Sequence, residues 1–162
     1  MLRGVKYCQL DRIVQLVPGR EMVAHRTLRA DEEYLKDHFP RFPVMPGVMM
    51  LESLVQAATW VVRTGDDFEH PLAVLDEVRS VKFGDFLAPD ETLEITATVI
   101  KTEDDRTKFK ASATKDGRTT VSARLVIRLE DLPDDPQTAQ SVRQRVRKQF
   151  KTLFGDVPTS TA

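Results

Sequence analysis

The sequence predicts an α+β fold in which one antiparallel sheet wraps around one long buried helix, with an amphipathic helix added at the C-terminal end. Three observations predict it. From Val48 to Val62 the chain is apolar almost all the way round, interrupted only by Glu52, Ser53, Gln56 and Thr59, and a helix apolar on every side is a buried one. After it come segments in which apolar and polar residues alternate, as in half-buried strands. Between the last two stands Asp116-Gly117, a dipeptide suited to a two-residue hairpin turn.

The elements follow in order. Leu10, Ile13, Val14, Leu16 and Val17 predict a first strand from about Tyr7 to Val17, closed by the turn pair Pro18-Gly19. Met22 to Arg29 alternates well enough for a second strand. Asp31 is placed to cap a short helix that has Glu32 and Glu33 in its first turn and ends near Asp37. Pro40, Pro43 and Pro46 hold the next stretch out of any helix, because each fixes φ and biases the residue before it towards extended geometry. The long helix then stops around Arg63-Thr64-Gly65, a basic residue followed by glycine.

Leu72 to Phe83 reads as a strand bent near Asp76-Glu77, and Pro89-Asp90 as a turn. Leu93, Ile95, Ala97 and Val99 alternate with polar residues, Thr102 to Arg106 forms a charged turn, and Phe109, Ala111 and Ala113 alternate again. The return strand sets Val121, Ala123, Leu125, Ile127 and Leu129 on one face. Residues 1–132 form the main domain. Residues 133–162 hold a Pro/Asp linker, a basic helix with Ala139, Val142, Val146, Phe150, Leu153 and Phe154 at helical spacing, and a frayed tail from Pro158. That helix either packs its apolar stripe on the sheet or a subunit, or meets a membrane surface or a carrier.

Composition narrows the function. The 162 residues suffice for one sizeable core, and 30% charged with 41% hydrophobic residues is ordinary for a globular protein. A net charge of −1 does not suit a nucleic-acid binder. Cys8 is alone, so no internal disulfide forms. No signal-peptide pattern opens the chain, and Val44 to Val62 contains Pro46, Glu52 and Gln56, so it reads as a core helix and not a transmembrane segment. A cytoplasmic protein is expected. Three scattered histidines and one cysteine lack metal-ligand spacing, so no metal is expected. His25 and His70 read as structural or solvated.

The candidate chemistry lies where the proline-rich turn meets the helix. His38 can take up a proton near neutral pH, and Glu52, one turn inside a helix expected to be buried, is expected to have a raised pKa and donate one. Free main-chain N–H groups after Pro46-Gly47, at the positive end of the helix dipole, can hold a carbonyl oxygen that gains charge. Base, acid and oxyanion donor together suit proton abstraction next to a carbonyl. Trp60, Met49 and Met50 line either the core or a substrate tunnel. Arg41, Arg79 and Lys82 form either a docking patch for an acidic carrier or an ordinary solvated surface.

The run His38-Phe39-Pro40…Pro43-Val44-Met45-Pro46-Gly47-Val48…Glu52…Gln56-Ala57 resembles the signature of the β-hydroxyacyl-acyl-carrier-protein dehydratases of the FabZ type, which have the hot-dog fold. The resemblance covers roughly Tyr7 to Leu129, and glutamate at position 52 is similar to the Z type and not to the aspartate of the A type. It implies that His38 removes the α-proton of a β-hydroxyacyl thioester and that Glu52, from the partner subunit, protonates the departing hydroxyl. The Gly47 N–H would polarise the thioester carbonyl, and Gln56 would support Glu52. It implies no cofactor, since the phosphopantetheine arm belongs to the substrate. Its partners would be an acyl-carrier-protein or coenzyme A thioester and a second copy of the chain, as a homodimer or a trimer of dimers. Arg41 stands where the family usually has glycine, and Ala73 and Val74 stand near the place of a gating tyrosine. Rival readings are a thioesterase of the same fold and a non-catalytic module that binds an acyl carrier.

Overall fold

The computed structural model describes residues 8–155. Six strands, β1 (Arg12–Val17), β2 (Glu21–Thr27), β3 (Leu72–Phe83), β4 (Thr92–Glu103), β5 (Arg106–Lys115) and β6 (Arg118–Glu130), form one sheet in the order β1-β2-β4-β5-β6-β3. Every neighbouring pair is antiparallel. The helix α1 (Gly47–Gly65) lies across strands β2 to β6, and α2 (Pro136–Phe154) returns against β1. The expected α+β architecture of a sheet wrapped on one helix is therefore present.

Alternation in the sequence becomes alternation of faces. Leu93, Ile95 and Ala97 of β4, Phe109, Ala111 and Ala113 of β5, and Val121, Leu125 and Ile127 of β6 are all buried beneath α1. The hairpin at Asp116-Gly117 has positive φ at both residues, 49° and 77°, and joins the paired Lys115 and Arg118. Such a turn matches the right-handed twist of the strands it connects. The bend expected near Asp76-Glu77 is a register shift between Leu75 and Glu77, and a second follows between Arg79 and Lys82. Each makes β3 twist away from a flat edge.

Three details differ from expectation. The short helix is a 3-10 turn over Glu33–Lys36, and Asp31 does not cap it; Glu32 holds the capping position without a side-chain cap bond. The cause is competition: the Glu32 carboxylate is occupied by Arg26 and by the Arg29 N–H at 2.6 Å. The first strand begins at Arg12, with Leu10 buried just ahead of it, while Tyr7 lies outside the described residues. Finally, α1 is not buried all round. Val48 is 70% exposed and Glu52 is exposed, so the sheet covers only part of the helix circumference.

Helix α2 starts at Asp135, whose side chain accepts from the Thr138 N–H at 2.9 Å, with Pro136 in the first turn. Of its expected apolar stripe, Ala139, Val146, Phe150 and Leu153 are buried and Val142 and Phe154 pack against the core. Phe150 meets Phe68 at 5.5 Å and Trp60 at 5.9 Å between ring centres. On the flank, the Arg147 guanidinium donates to the Asp67 carbonyl at 2.8 Å and lies over the Phe68 ring. The expected frayed tail from Pro158 lies outside the described residues. Among the described residues no helix is long and apolar enough to cross a membrane.

Removing a fully buried phenylalanine costs about 3–5 kcal/mol. Phe150→Ala is expected to lower the unfolding free energy by about that amount in a denaturant melt, and to raise hydrogen exchange along α2 before the sheet is affected.

Candidate active site

The loop before α1 is held by its own main chain. The His38 N–H donates to the Tyr34 carbonyl at 3.0 Å, and the His38 carbonyl accepts from the Val44 N–H at 3.1 Å. Phe39 and Phe42 exchange main-chain hydrogen bonds at 3.1 and 3.2 Å, enclosing Pro40 and Arg41 in a tight turn. Arg41 is exposed and has no positive φ, so this turn does not need the glycine usual in the resembling family. Met45 anchors the loop to the sheet end by donating to the Leu87 carbonyl at 2.9 Å.

His38 is half-buried, and its Nδ1 lies 3.0 Å from the Val44 carbonyl oxygen. A carbonyl only accepts, so Nδ1 carries the hydrogen and a neutral ring leaves Nε2 free to take a proton. Gly47 opens α1, where main-chain N–H groups have no partner inside the helix. A Cβ at Gly47 would come within 2.8 Å of the Phe83 ring, so a side chain there would have to displace that exposed ring. Around this corner Phe39, Phe42, Val48, Phe83 and Phe86 are all exposed.

Glu52 sits on the open face of α1, and the Gln56 amide donates to its Oε1 at 3.1 Å from one turn further on. The side chain of Gln56 is itself oriented, because its Oε1 accepts from the Gln9 N–H at 2.7 Å. From Gln9 a buried polar chain continues. The Gln9 side-chain oxygen accepts from Arg26 Nε at 3.3 Å, Arg26 donates to Glu32, and Tyr34 donates to Glu32 at 3.0 Å. Arg26 is 2% and Gln9 5% exposed. Tyr34 is the residue whose carbonyl holds the His38 N–H. The supports of Glu52 and His38 thus share one network.

Burial alone would raise the Glu32 pKa, but the Arg26 hydrogen bond, the Arg29 N–H and the Arg26 charge together hold it below the ordinary carboxylate value. Burial pushes the Tyr34 hydroxyl and the Cys8 thiol up. Cys8 is therefore a poor thiolate.

Glu52 also opens onto a cleft of about 430 Å³. Gln56, Thr59, Trp60 and Arg63 of α1, Ala73 to Leu75 of β3, and Gln149 and Leu153 of α2 line it. Trp60 thus belongs to both the core and this wall. His38 is not among the residues lining the cleft. Glu52 and Gln56 are joined on one face of α1, while His38 is tied to Val44, three residues ahead of Gly47 at the helix start. Arg79 is engaged by Glu77 at 2.7 Å, and His70 by Asp66 at 2.8 Å. Sequence reading missed Gln9, Arg26 and Arg63; only the oddity of an arginine inside an alternating strand pointed to Arg26.

The sheet order and the single central helix define a hot-dog protein. The same architecture occurs in the dehydratase heterocomplex ApeI:P from Xenorhabdus doucetiae, with a TM-score of 0.64, 15% identity and coverage of 86% of this chain and 91% of that one. Zebra fish thioesterase superfamily member 2 shares it too, with a TM-score of 0.58, 14% identity and coverage of 73% and 80%. These likenesses concern the fold. The family is given by sequence: the model of the ApeI-like family, described as ApeI dehydratase, matches residues 15–124. The chain belongs to this dehydratase family. It is 33% identical over 67% of its length to a 3-hydroxyacyl-(acyl-carrier-protein) dehydratase FabZ from Ruminiclostridium cellulolyticum, covering 77% of that protein. It is 35% identical over 75% of its length to the enzyme of that name from Latilactobacillus sakei, covering 86% of it.

The buried Arg26–Glu32 pair generates a pH prediction. Because the folded-state pKa of Glu32 is depressed, its stabilisation is present above the ordinary carboxylate pKa and is lost as pH falls through the folded value. Breaking such a pair from one side costs about 3–5 kcal/mol. Arg26→Met is expected to destabilise the protein by about that much at pH 7 and to flatten the loss of stability below about pH 4.5, read from denaturant melts across pH.

Proposed function

We propose that this protein dehydrates 3-hydroxyacyl thioesters carried by acyl carrier protein, giving trans-2-enoyl thioesters and water during acyl-chain synthesis. The carrying observation is the Nδ1 contact of His38 with the carbonyl of Val44, three residues ahead of Gly47 at the start of α1, which leaves Nε2 as a proton acceptor. His38 Nε2 takes the α-proton, and the thioester carbonyl oxygen gains charge against the Gly47 N–H. The electron pair forms the Cα–Cβ double bond as the Cβ–O bond breaks. Glu52, held by Gln56, gives the departing hydroxyl a proton and water leaves. One proton enters the protein and one leaves it, so the reaction calls on no metal and no redox cofactor. The names of the FabZ relatives support acyl carrier protein as the carrier in preference to coenzyme A.

In this reading the working unit is a homodimer, in which the Glu52 of the partner subunit completes the site of each His38. Two surfaces favour a second copy. Strand β3 is a free sheet edge of 12 residues, with Leu75, Val81 and Phe83 exposed along it. Despite its two register shifts, this edge keeps unpaired main-chain groups and exposed apolar side chains that a second copy can cover. Beside it lies the open face of α1, with Val48 exposed at one end. A trimer of dimers is compatible with both surfaces, and the cytoplasm, where acyl carriers work, is the proposed location.

The test is hydration of a crotonyl thioester, followed by loss of the enoyl absorbance. General acid or base catalysis contributes roughly 100- to 10,000-fold. His38→Ala and Glu52→Gln are each expected to lose at least about 100-fold with the dimer intact. Full activity in either variant, or release of free thiol in place of hydration, would sink the assignment, the second outcome in favour of a thioesterase.

A further inference from the structure

The cleft that begins at Glu52 ends at a cation without an acid. Arg63 lies on the same face of α1 as Glu52, roughly three turns further on. Its Nε donates to the Pro71 carbonyl at 2.7 Å, and its guanidinium carbon sits 4.7 Å over the Trp60 ring. No carboxylate among the described residues lies within salt-bridge distance of it: all thirteen ion pairs found there involve other cations. Burial lowers its pKa to about 10, which still leaves it charged at neutral pH.

A charge taken out of water is costly unless it is paired or used. The carbonyl and the indole face satisfy one edge and one side of the guanidinium, and leave Nη1 and Nη2, the fork that matches a carboxylate. The walls between Glu52 and this fork are Val55, Thr59, Trp60, Ala73, Val74 and Leu75, mainly apolar surface of the kind that takes an acyl chain. Gln149 and Leu153 of α2 close the same space. They belong to the segment beyond residue 124, where the family match ends.

We propose that the cleft holds the distal part of the acyl chain and that Arg63 binds a carboxylate at the chain's far end, so that the substrates are 3-hydroxyacyl thioesters with a terminal acid group. This rests on the dehydratase reading for the reaction, but not for the binding. A methyl-ended chain of the same length would leave the fork desolvated and unpaired, and is the disfavoured substrate. A four-carbon substrate is too short to reach Arg63 and is indifferent to it.

The test compares methyl-ended and carboxylate-ended 3-hydroxyacyl thioesters of matched length on the wild type, Arg63→Met and Arg63→Lys, each first checked for folding by its melting curve. Wild-type kcat/KM is expected to favour the carboxylate end by at least about tenfold, as for hydrogen bonds to a charged group. The ratio should collapse in Arg63→Met and be partly kept in Arg63→Lys, which retains the charge without the fork. Calorimetric titration with saturated, unreactive thioesters of both kinds gives the same comparison without turnover. Equal binding of the two in the wild type, or a preference that survives Arg63→Met, overturns the proposal. If the crotonyl thioester is not hydrated while the binding preference is present and depends on Arg63, the reaction assignment fails and the site stands.

Discussion

The structure depends on one mismatch: α1 carries apolar residues round more of its circumference than its own sheet covers. Strands β2 to β6 bury Leu54, Ala57, Ala58 and Val61 to near-zero exposure. They cannot reach the face that holds Val48 and Glu52, because the sheet ends at β3. Burial on one side is the main favourable term in assembling the fold. The uncovered side puts a carboxylate, a free strand edge and a cleft next to one another. A fold that enclosed the helix completely would have no site.

The second constraint is how Glu52 is held on that uncovered side. An exposed glutamate has several rotamers, and a proton donor needs one. Gln56 selects it, Gln9 fixes the Gln56 amide, and Arg26 fixes Gln9 from within the core. The arrangement is tolerable because each buried member is satisfied: Arg26 has Glu32, Gln9 and the Thr27 carbonyl, and Glu32 also has Arg29 and Tyr34. Since Tyr34 ends the network and receives the His38 N–H, a disturbance at Arg26 reaches both proposed catalytic positions.

Much of this was legible in the sequence. Alternation located β4 to β6 because one face of an antiparallel strand is core and the other solvent, and Asp116-Gly117 located the hairpin because few residue pairs accept positive φ twice. The run from His38 to Gln56 gave the proposed site residues because its prolines and glycine are tied to main-chain geometry. The exposure of Glu52 was not legible: periodicity shows that a helix is apolar, but not how much of it its own sheet covers. The polar chain was hidden for a similar reason. Gln9, Arg26 and Glu32 come from three separate segments, and each alone looks like a surface residue. Asp31 was preferred as a cap over Glu32 because cap statistics know nothing of an arginine on a neighbouring strand.

The central claim is that each active site is shared, His38 from one subunit and Glu52 from the other. It is tested most directly by unfolding His38→Ala and Glu52→Gln together in equal amounts, refolding the mixture, and measuring crotonyl thioester hydration. Random pairing makes half the dimers mixed, and each mixed dimer has one site with both native groups. The account predicts recovery of roughly one quarter of wild-type activity from two inactive parents, on the two-fold symmetry of such a dimer. If mass spectrometry shows mixed dimers and the mixture stays as inactive as its parents, the two residues do not serve one site across the interface.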